Sequence, residues 1–350
     1  MQSTKIKIFT LTVSVLLIIS IILGMGMGAV SISPLQVMAI LGKKIGISSG
    51  VAYTDVQESV LAAIRMPRVM MAVLIGSSLA VSGAAMQGLF RNPLADPSLI
   101  GISSGASFAA VAAIVLGINT VTSITGVTGT YALSVITFTG ALITAVIVYR
   151  LAQSGGKTII ATMLLAGIAI NALAGAGTGI FTYAANDAQL RSITFWMLGS
   201  LGGASWNTVL GILPFTILPV LVFPFMAKAL NAFSIGESNA AHLGTNTELV
   251  KRTVVLLTAL CVGASVAVAG VISFVGLVVP HIIRLTAGPD NRYLLLLAPV
   301  LGALLLVSAD LVARTLFIPA EVPIGIITSM IGAPVFLYMV IKELRSQRNF

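Results

Sequence analysis

Residues 97–149, PSLIGISSGASFAAVAAIVLGINTVTSITGVTGTYALSVITFTGALITAVIVY, run without a single Asp, Glu, Lys or Arg. A helix crosses the hydrocarbon core with about 20 apolar residues, so this stretch is long enough for two crossings. Lipid offers no partner to backbone amides, so only helices or closed barrels span it. The apolar residues here are continuous rather than alternating, which selects helices. The same charge-free pattern recurs over 8–42, 69–90, 158–186, 192–227, 253–283, 293–309 and 322–341. The whole chain of 350 residues is 57% hydrophobic and 8% charged, with a mean hydropathy of +1.08. Soluble domains carry about 25% charged residues, which excludes one here. The expectation is an all-α polytopic membrane protein, a single transmembrane domain over residues 1–350.

Charges, prolines and glycines divide the chain into about ten spans: 9–30, 68–90, 97–117, 126–150, 158–182, 196–225, 250–270, 272–288, 293–313 and 323–342. The eighth is short. Met1 to Lys7 followed by an apolar run imitates a signal peptide, but the run is long enough to serve as an uncleaved first span. With the N-terminus inside, thirteen basic residues fall on the cytoplasmic side, among them Lys228, Lys251, Arg252, Lys342, Arg345 and Arg348. Six fall outside: Lys43, Lys44, Arg65, Arg68, Arg191 and Arg314. The positive-inside rule therefore puts both termini in the cytoplasm and the chain in the cell (inner) membrane. A nine-span count would turn the basic C-terminus outward.

The net charge of +9 is scattered among the spans, so it argues for loop topology and against a nucleic-acid partner. Cys261 is the only cysteine and lies in an apolar run, and His242 and His281 are far apart, so no metal site is predicted. Gly156-Lys157-Thr158 imitates the end of a phosphate loop, but Leu151 stands where the first glycine must turn. The chain therefore carries no ATPase of its own and no cofactor.

Asp96-Pro97 reads as an N-cap and first helical position opening span three. Gly76, Gly83, Gly101, Gly105, Gly167, Gly175 and Gly177 fall inside predicted helices, where small residues let helices pack closely in lipid. Shifted by 187 positions, Gly76, Ser78, Ala80, Val81, Gly83 and Pro93 meet Gly263, Ser265, Ala267, Val268, Gly270 and Pro280. The two copies would run in opposite directions, the plan of an inverted repeat.

The longest cytoplasmic segment covers about 226–250. Its Leu230, Phe233, Ile235 and Leu243 are apolar although outside the bilayer, which marks a contact surface for another protein.

Several motifs follow one another along the chain: Arg65-Met-Pro-Arg68, Gly76 through Gln87, Arg91-Asn-Pro-Leu-Ala-Asp-Pro97, Leu165-Ala-Gly167 and Trp196-Met-Leu-Gly-Ser200, the last opening span six. Gly236-Glu237, Ala241-His-Leu-Gly244, Gly270 through Arg284, Ala309-Asp310 with Arg314, Glu321-Val-Pro-Ile-Gly325 and Ile331-Gly-Ala-Pro334 come next. In this order and spacing they resemble the FecCD-type permease family of ABC importers, which serve iron–siderophores, haem and vitamin B12.

The resemblance implies a type II ABC importer permease fold. It implies a second permease subunit (a homodimer by default), two ABC ATPase subunits that use ATP and Mg, and one extracytoplasmic substrate-binding protein. Arginines matching Arg65, Arg68 and Arg314 would accept acidic residues of that binding protein, although Asp310 four residues before Arg314 also allows an internal pair. The segment Ser234, Gly236, Glu237, Ala241, His242, Leu243 and Gly244 would couple to the ATPase. Span five would line the pathway with Ile160, Ala161, Thr162, Gly167 and Asn171; the family narrows its inner gate just before this span, where the vitamin B12 importer carries small polar residues and this chain has Ile160 and Ala161. His281 and Arg284 read as packing or interface residues. The expected cargo is an iron–siderophore metal chelate, with haem or vitamin B12 as the alternative. An ion-coupled secondary transporter would need midplane carboxylates or histidines, whereas Asp310 and Glu321 fall near the outer boundary. An intramembrane enzyme would need a nucleophile–base pair or metal cluster.

Overall fold

A computed structural model describes residues 2–47, 50–117, 131–318 and 320–348, with the side chains of 2–3, 340 and 342–348 excepted. The predicted start of span four at 126 and the side chains of Lys342, Arg345 and Arg348 lie outside the described residues. In chain order the helices are α1 (Gln2–Gly26), α2 (Pro34–Lys44), α3 (Asp55–Phe90), α4 (Ile102–Leu116) and α5 (Ala132–Leu151). After a hairpin of β1 (Gln153–Ser154) and β2 (Lys157–Thr158) come α6 (Ile160–Ala184), α7 (Asp187–Leu198), α8 (Trp206–Val222), α9 (Ala227–Ser234) and α10 (Glu237–His242). The chain ends with α11 (Thr247–Ala269), α12 (Val275–Ala287), α13 (Asn291–Thr315) and α14 (Ile324–Arg348). Among the described residues, seven helical runs are long and apolar enough to cross a membrane, and three shorter apolar helices, within α4, α12 and α14, fall on the remaining predicted spans.

Three predicted boundaries shift. Asp96 does cap, accepting the Ser98 N–H at 2.8 Å, but it opens only a 3-10 turn, Pro97–Ile100. Gly101 is not helical as expected; its φ of 82° bends the chain before α4 begins at Ile102. Span six does not open at Trp196. That residue lies in the last turn of α7, a separate helix capped at Asn186 by a reciprocal pair with Gln189 and broken at Gly199, φ 73°. The span itself starts at Trp206, behind the Ser205 cap. The short eighth span is α12, 13 residues, preceded by the non-helical stretch 270–274.

α3 is the axis of the bundle, wrapped by α8, α11, α12 and α13. Glycines set the spacing. A Cβ on Gly76 would overlap the Gly302 carbonyl of α13, and one on Gly83 would overlap the Gly276 carbonyl of α12. In lipid, such backbone approach gains dispersion that bulky side chains prevent. α11 runs antiparallel to α3, with Ser78 facing Ser265 at 3.4 Å and the Ser82 hydroxyl 2.6 Å from the Cys261 thiol. Ser78 and Ser265 are equivalent positions of the 187-residue echo, so the two copies meet there in opposite directions. Past Gly83 and Gly270 they diverge: α3 continues, whereas α11 stops at Ala269.

The hairpin before α6 explains the false phosphate loop. Gly155 and Gly156 take φ of 56° and 76°, the pair of positive angles a two-residue turn needs, and Gln153 pairs with Thr158. One end of the bundle carries Arg65, Arg68 and Arg314 (the arginine end). The opposite end carries this hairpin, α9, α10 and Lys251 (the lysine end). α1 runs toward the arginine end and α14 away from it, so α1 begins and α14 ends on the side of α10.

Gly83→Ala is expected to destabilise the purified protein by about 1–3 kcal/mol, since overpacking must push two backbones apart. Gly211→Ala, with open space around it, is expected to leave the midpoint of thermal unfolding in detergent unchanged.

Candidate functional site

At the arginine end, Leu61–Arg65 forms one π-type turn ahead of Pro67. All three arginines turn inward, with relative exposures of 4%, 8% and 7% for Arg65, Arg68 and Arg314. Arg65 donates to the carbonyls of Met25 at 2.9 Å, Gly26 at 2.6 Å and Val30. Arg314 donates to the Gly24 carbonyl. The two guanidinium groups thus satisfy the orphan carbonyls at the C-terminus of α1, where positive charge also suits the helix dipole. Arg68 forks between two acids: its Nε lies 2.9 Å from Asp310 and its Nη1 2.8 Å from Glu321. Asp310 also faces Arg314 at 3.6 Å, the i,i+4 pair allowed by the sequence. Glu321 is the exposed member, with 47% of its side chain accessible.

At the lysine end, the 226–250 segment is a pair of short helices joined at Gly236, φ 114°. The apolar residues expected to face a partner divide into two sets. Leu230 and Phe233 are fully buried, while Ile235 and Leu243 are 57% and 67% exposed. Ser234, Ala241, His242 and Gly244 are exposed beside them, and Gly236 is half-buried. α9 is tied down by Asn231, which donates to Asp290 at 2.7 Å and accepts from the Asn291 backbone at 2.9 Å. Burial pushes the Asp290 carboxyl up, but the Arg292 amide and Asn231 outweigh it and hold it below the usual range. The Glu237 carboxylate turns in to Lys251 at 2.6 Å.

Between the ends, α6 is long enough to span, yet only 11% of its apolar window is buried. Its inner face packs on the 3-10 turn and α4. A Cβ on Gly167 would overlap the Leu99 carbonyl. Asn171 meets Ser104 at 2.5 Å and donates to the Ser98 carbonyl at 3.2 Å. Its outer face is a seam spaced by four and three: Ala161, Leu165, Ile168, Ala172, Gly175 and Gly179 are all exposed. Of the five expected pathway residues, Ala161 lies on this seam, Ile160 and Thr162 flank it half-buried, and Gly167 and Asn171 face the protein.

Sequence reasoning missed the group around Lys251. The signal available was an acid three residues before a lysine in the first turn of a span, Glu248 and Lys251. Nothing local shows that Thr158, over ninety positions away, completes it.

The model of the FecCD transport family matches residues 16–342. The chain belongs to that family. The hemin transport system permease HmuU of Yersinia pestis is 46% identical over 82% of this chain and 84% of its own length. The cobalamin import permease BtuC of Halobacterium salinarum is 40% identical over 81% and 74%. A solved structure described as an inward-facing metal-chelate type ABC transporter superposes with a TM-score of 0.82 at 29% identity, covering 95% of this chain and 99% of that one. The chain is therefore a membrane-embedded permease subunit of an ABC importer, and ATP hydrolysis resides in a separate subunit.

Arg68→Met is expected to cost about 3–5 kcal/mol of stability, because it removes the hydrogen-bonding partner of the buried Asp310 carboxylate and leaves only Arg314, at 3.6 Å, beside it. Glu321→Gln, at the exposed arm of the fork, is expected to cost about 1 kcal/mol or less. Thermal unfolding of the two variants in one detergent checks the order.

Proposed function

We propose that two copies of this chain face each other across the α6 seam and enclose the route of a metal chelate, moved by ATP hydrolysis on partner subunits below α10. The observation that carries the reading is the uncovered seam. A membrane helix that buries so little and presents Ala172, Gly175 and Gly179 outward is built for close helix contact or for lining a route, not for lipid alone. The lysine end is then cytoplasmic, both termini are inside, and the membrane is the inner one. Ile160 and Ala161 stand at the inner mouth of the route. Ile235, Leu243 and their exposed neighbours are the surface for the ATPase.

The arginine end then faces the binding protein. Of the three arginines proposed for docking, Arg65, Arg68 and Arg314, Arg68 is the one reached through Glu321: an incoming carboxylate displaces the accessible arm of its fork, while Arg65 and Arg314 add positive charge behind it. For the cargo, the relatives named for hemin and cobalamin favour a metal held in a macrocycle, and haem becomes the first reading. An iron–siderophore, the expectation from the family at large, is the second.

Uptake into proteoliposomes is the test, with this chain assembled with its ATPase and binding-protein partners and a panel of haem, cobalamin and ferric siderophores. ATP-dependent accumulation of one chelate is expected, at least tenfold over the others. Accumulation down an ion gradient with no ATPase present would refute the reading. Separately, Gly179→Cys is expected to cross-link into a dimer on mild oxidation in membranes, whereas Leu210→Cys on α8 is not. The reverse result would place the interface elsewhere.

A further inference from the structure

Lys251 lies in the first turn of α11 with 0% of its side chain exposed. An ammonium has three donors and no acceptor, and it is costly to bury unless all three are used. Here three acceptors surround it: the Thr158 carbonyl at 2.6 Å, Glu237 Oε1 at 2.6 Å and Glu248 Oε1 at 2.5 Å. They come from different elements. Thr158 ends the hairpin that leads into α6, Glu237 begins α10, and Glu248 shares α11 with the lysine. The Glu248 carboxylate in turn accepts the Thr158 N–H, at 3.0 and 3.1 Å. Both backbone polar groups of Thr158 are therefore held by this one cluster.

α9 and α10 are anchored differently. α9 is fixed by the buried Leu230 and Phe233 and by the Asn231 bonds. For α10, among the described residues, the Glu237–Lys251 pair is the only side-chain polar contact with a membrane helix. Glu248 is three residues from Lys251 on the same helix, so that bond survives any rigid movement of α11. Glu237 is over one third exposed and is the detachable partner.

We propose that Lys251 is the positioning residue that transmits displacement of α10 to the inner mouth at the start of α6. With Glu237 in place, the ammonium is dry and grips the Thr158 carbonyl. When α10 draws Glu237 away, water reaches the ammonium, the grip on Thr158 weakens, and residues 158–161 are released from α11. This rests on the proposed function in taking α10 as the ATPase contact and Ile160–Ala161 as the inner mouth.

The link is tested in the full chain in nanodiscs by hydrogen exchange of the peptide spanning 153–162. Glu237→Gln, which keeps the shape and removes the charge, is expected to speed exchange there at least tenfold while leaving α3 unchanged. Unaltered exchange in that peptide overturns the proposal whatever the chain transports. In the complete importer, Lys251→Met is expected to retain at least half of the ATP hydrolysis and to lose at least tenfold in chelate moved per ATP. Lys251→Arg is expected to restore part of that ratio. A transport-to-ATP ratio equal to the wild type, or a fall of both activities in step, makes the lysine merely structural and overturns the proposal. Failure of the function itself shows differently, as absence of ATP-driven uptake by the wild-type importer.

Discussion

Backbone touching backbone along α3 is the constraint on which the remaining structure depends. In water, a core gains stability by removing apolar surface from solvent; in lipid that gain is absent between helices, and contact distance decides. Gly76 against Gly302 and Gly83 against Gly276 bring three helices as close as main chains permit. Once α12 and α13 are seated on α3 in this way, α1 and α11 have fixed surfaces to pack against. The serine and cysteine hydroxyl and thiol groups between α3 and α11 then find one another rather than lipid.

Among the described residues the ion pairs lie at the two ends of this core, and they work differently at each. At the arginine end, three guanidinium groups close the C-terminus of α1 and join α3 to α13 and to Glu321. Most of these contacts are dry, which favours a rigid end with one accessible arm. At the lysine end, a single ammonium joins α11 to two elements that are otherwise lightly held. The same chemistry, a buried cation ringed by oxygens, thus serves as a clamp on one side and as a link on the other.

Much of this was legible in the sequence, because the physics of lipid is severe. The charge-free run 97–149 demanded helices, and the breaks at charges, prolines and glycines marked out the ten apolar segments. The boundaries that slipped were set by backbone angles that composition does not display. Gly101 and Gly199 look like packing glycines but take positive φ and end helices, which shortened span three and separated Trp196 from span six. Leu230 and Ile235 carry the same apolar signal in one loop, but Leu230 lies inside α9 on its buried face, whereas Ile235 stands just past the helix end and is exposed. The charged clusters were half-visible: Asp310–Arg314 and Glu248–Lys251 are local pairs, whereas Arg68–Glu321 and Lys251–Thr158 close over distances that only the fold supplies.

A rigid axis with a mobile wall is the account in its simplest form, and pulsed EPR distances test it directly. One pair of labels would report α6 against α6 of the proposed second copy, from Ala161→Cys. The other would sit within one chain on exposed positions of α3 and α13, Met70→Cys and Leu296→Cys. Between nucleotide-free and nucleotide-trapped importer, the α6 distance is expected to shift and the α3–α13 distance to hold. A shifting α3–α13 distance with a fixed α6 pair would contradict the account.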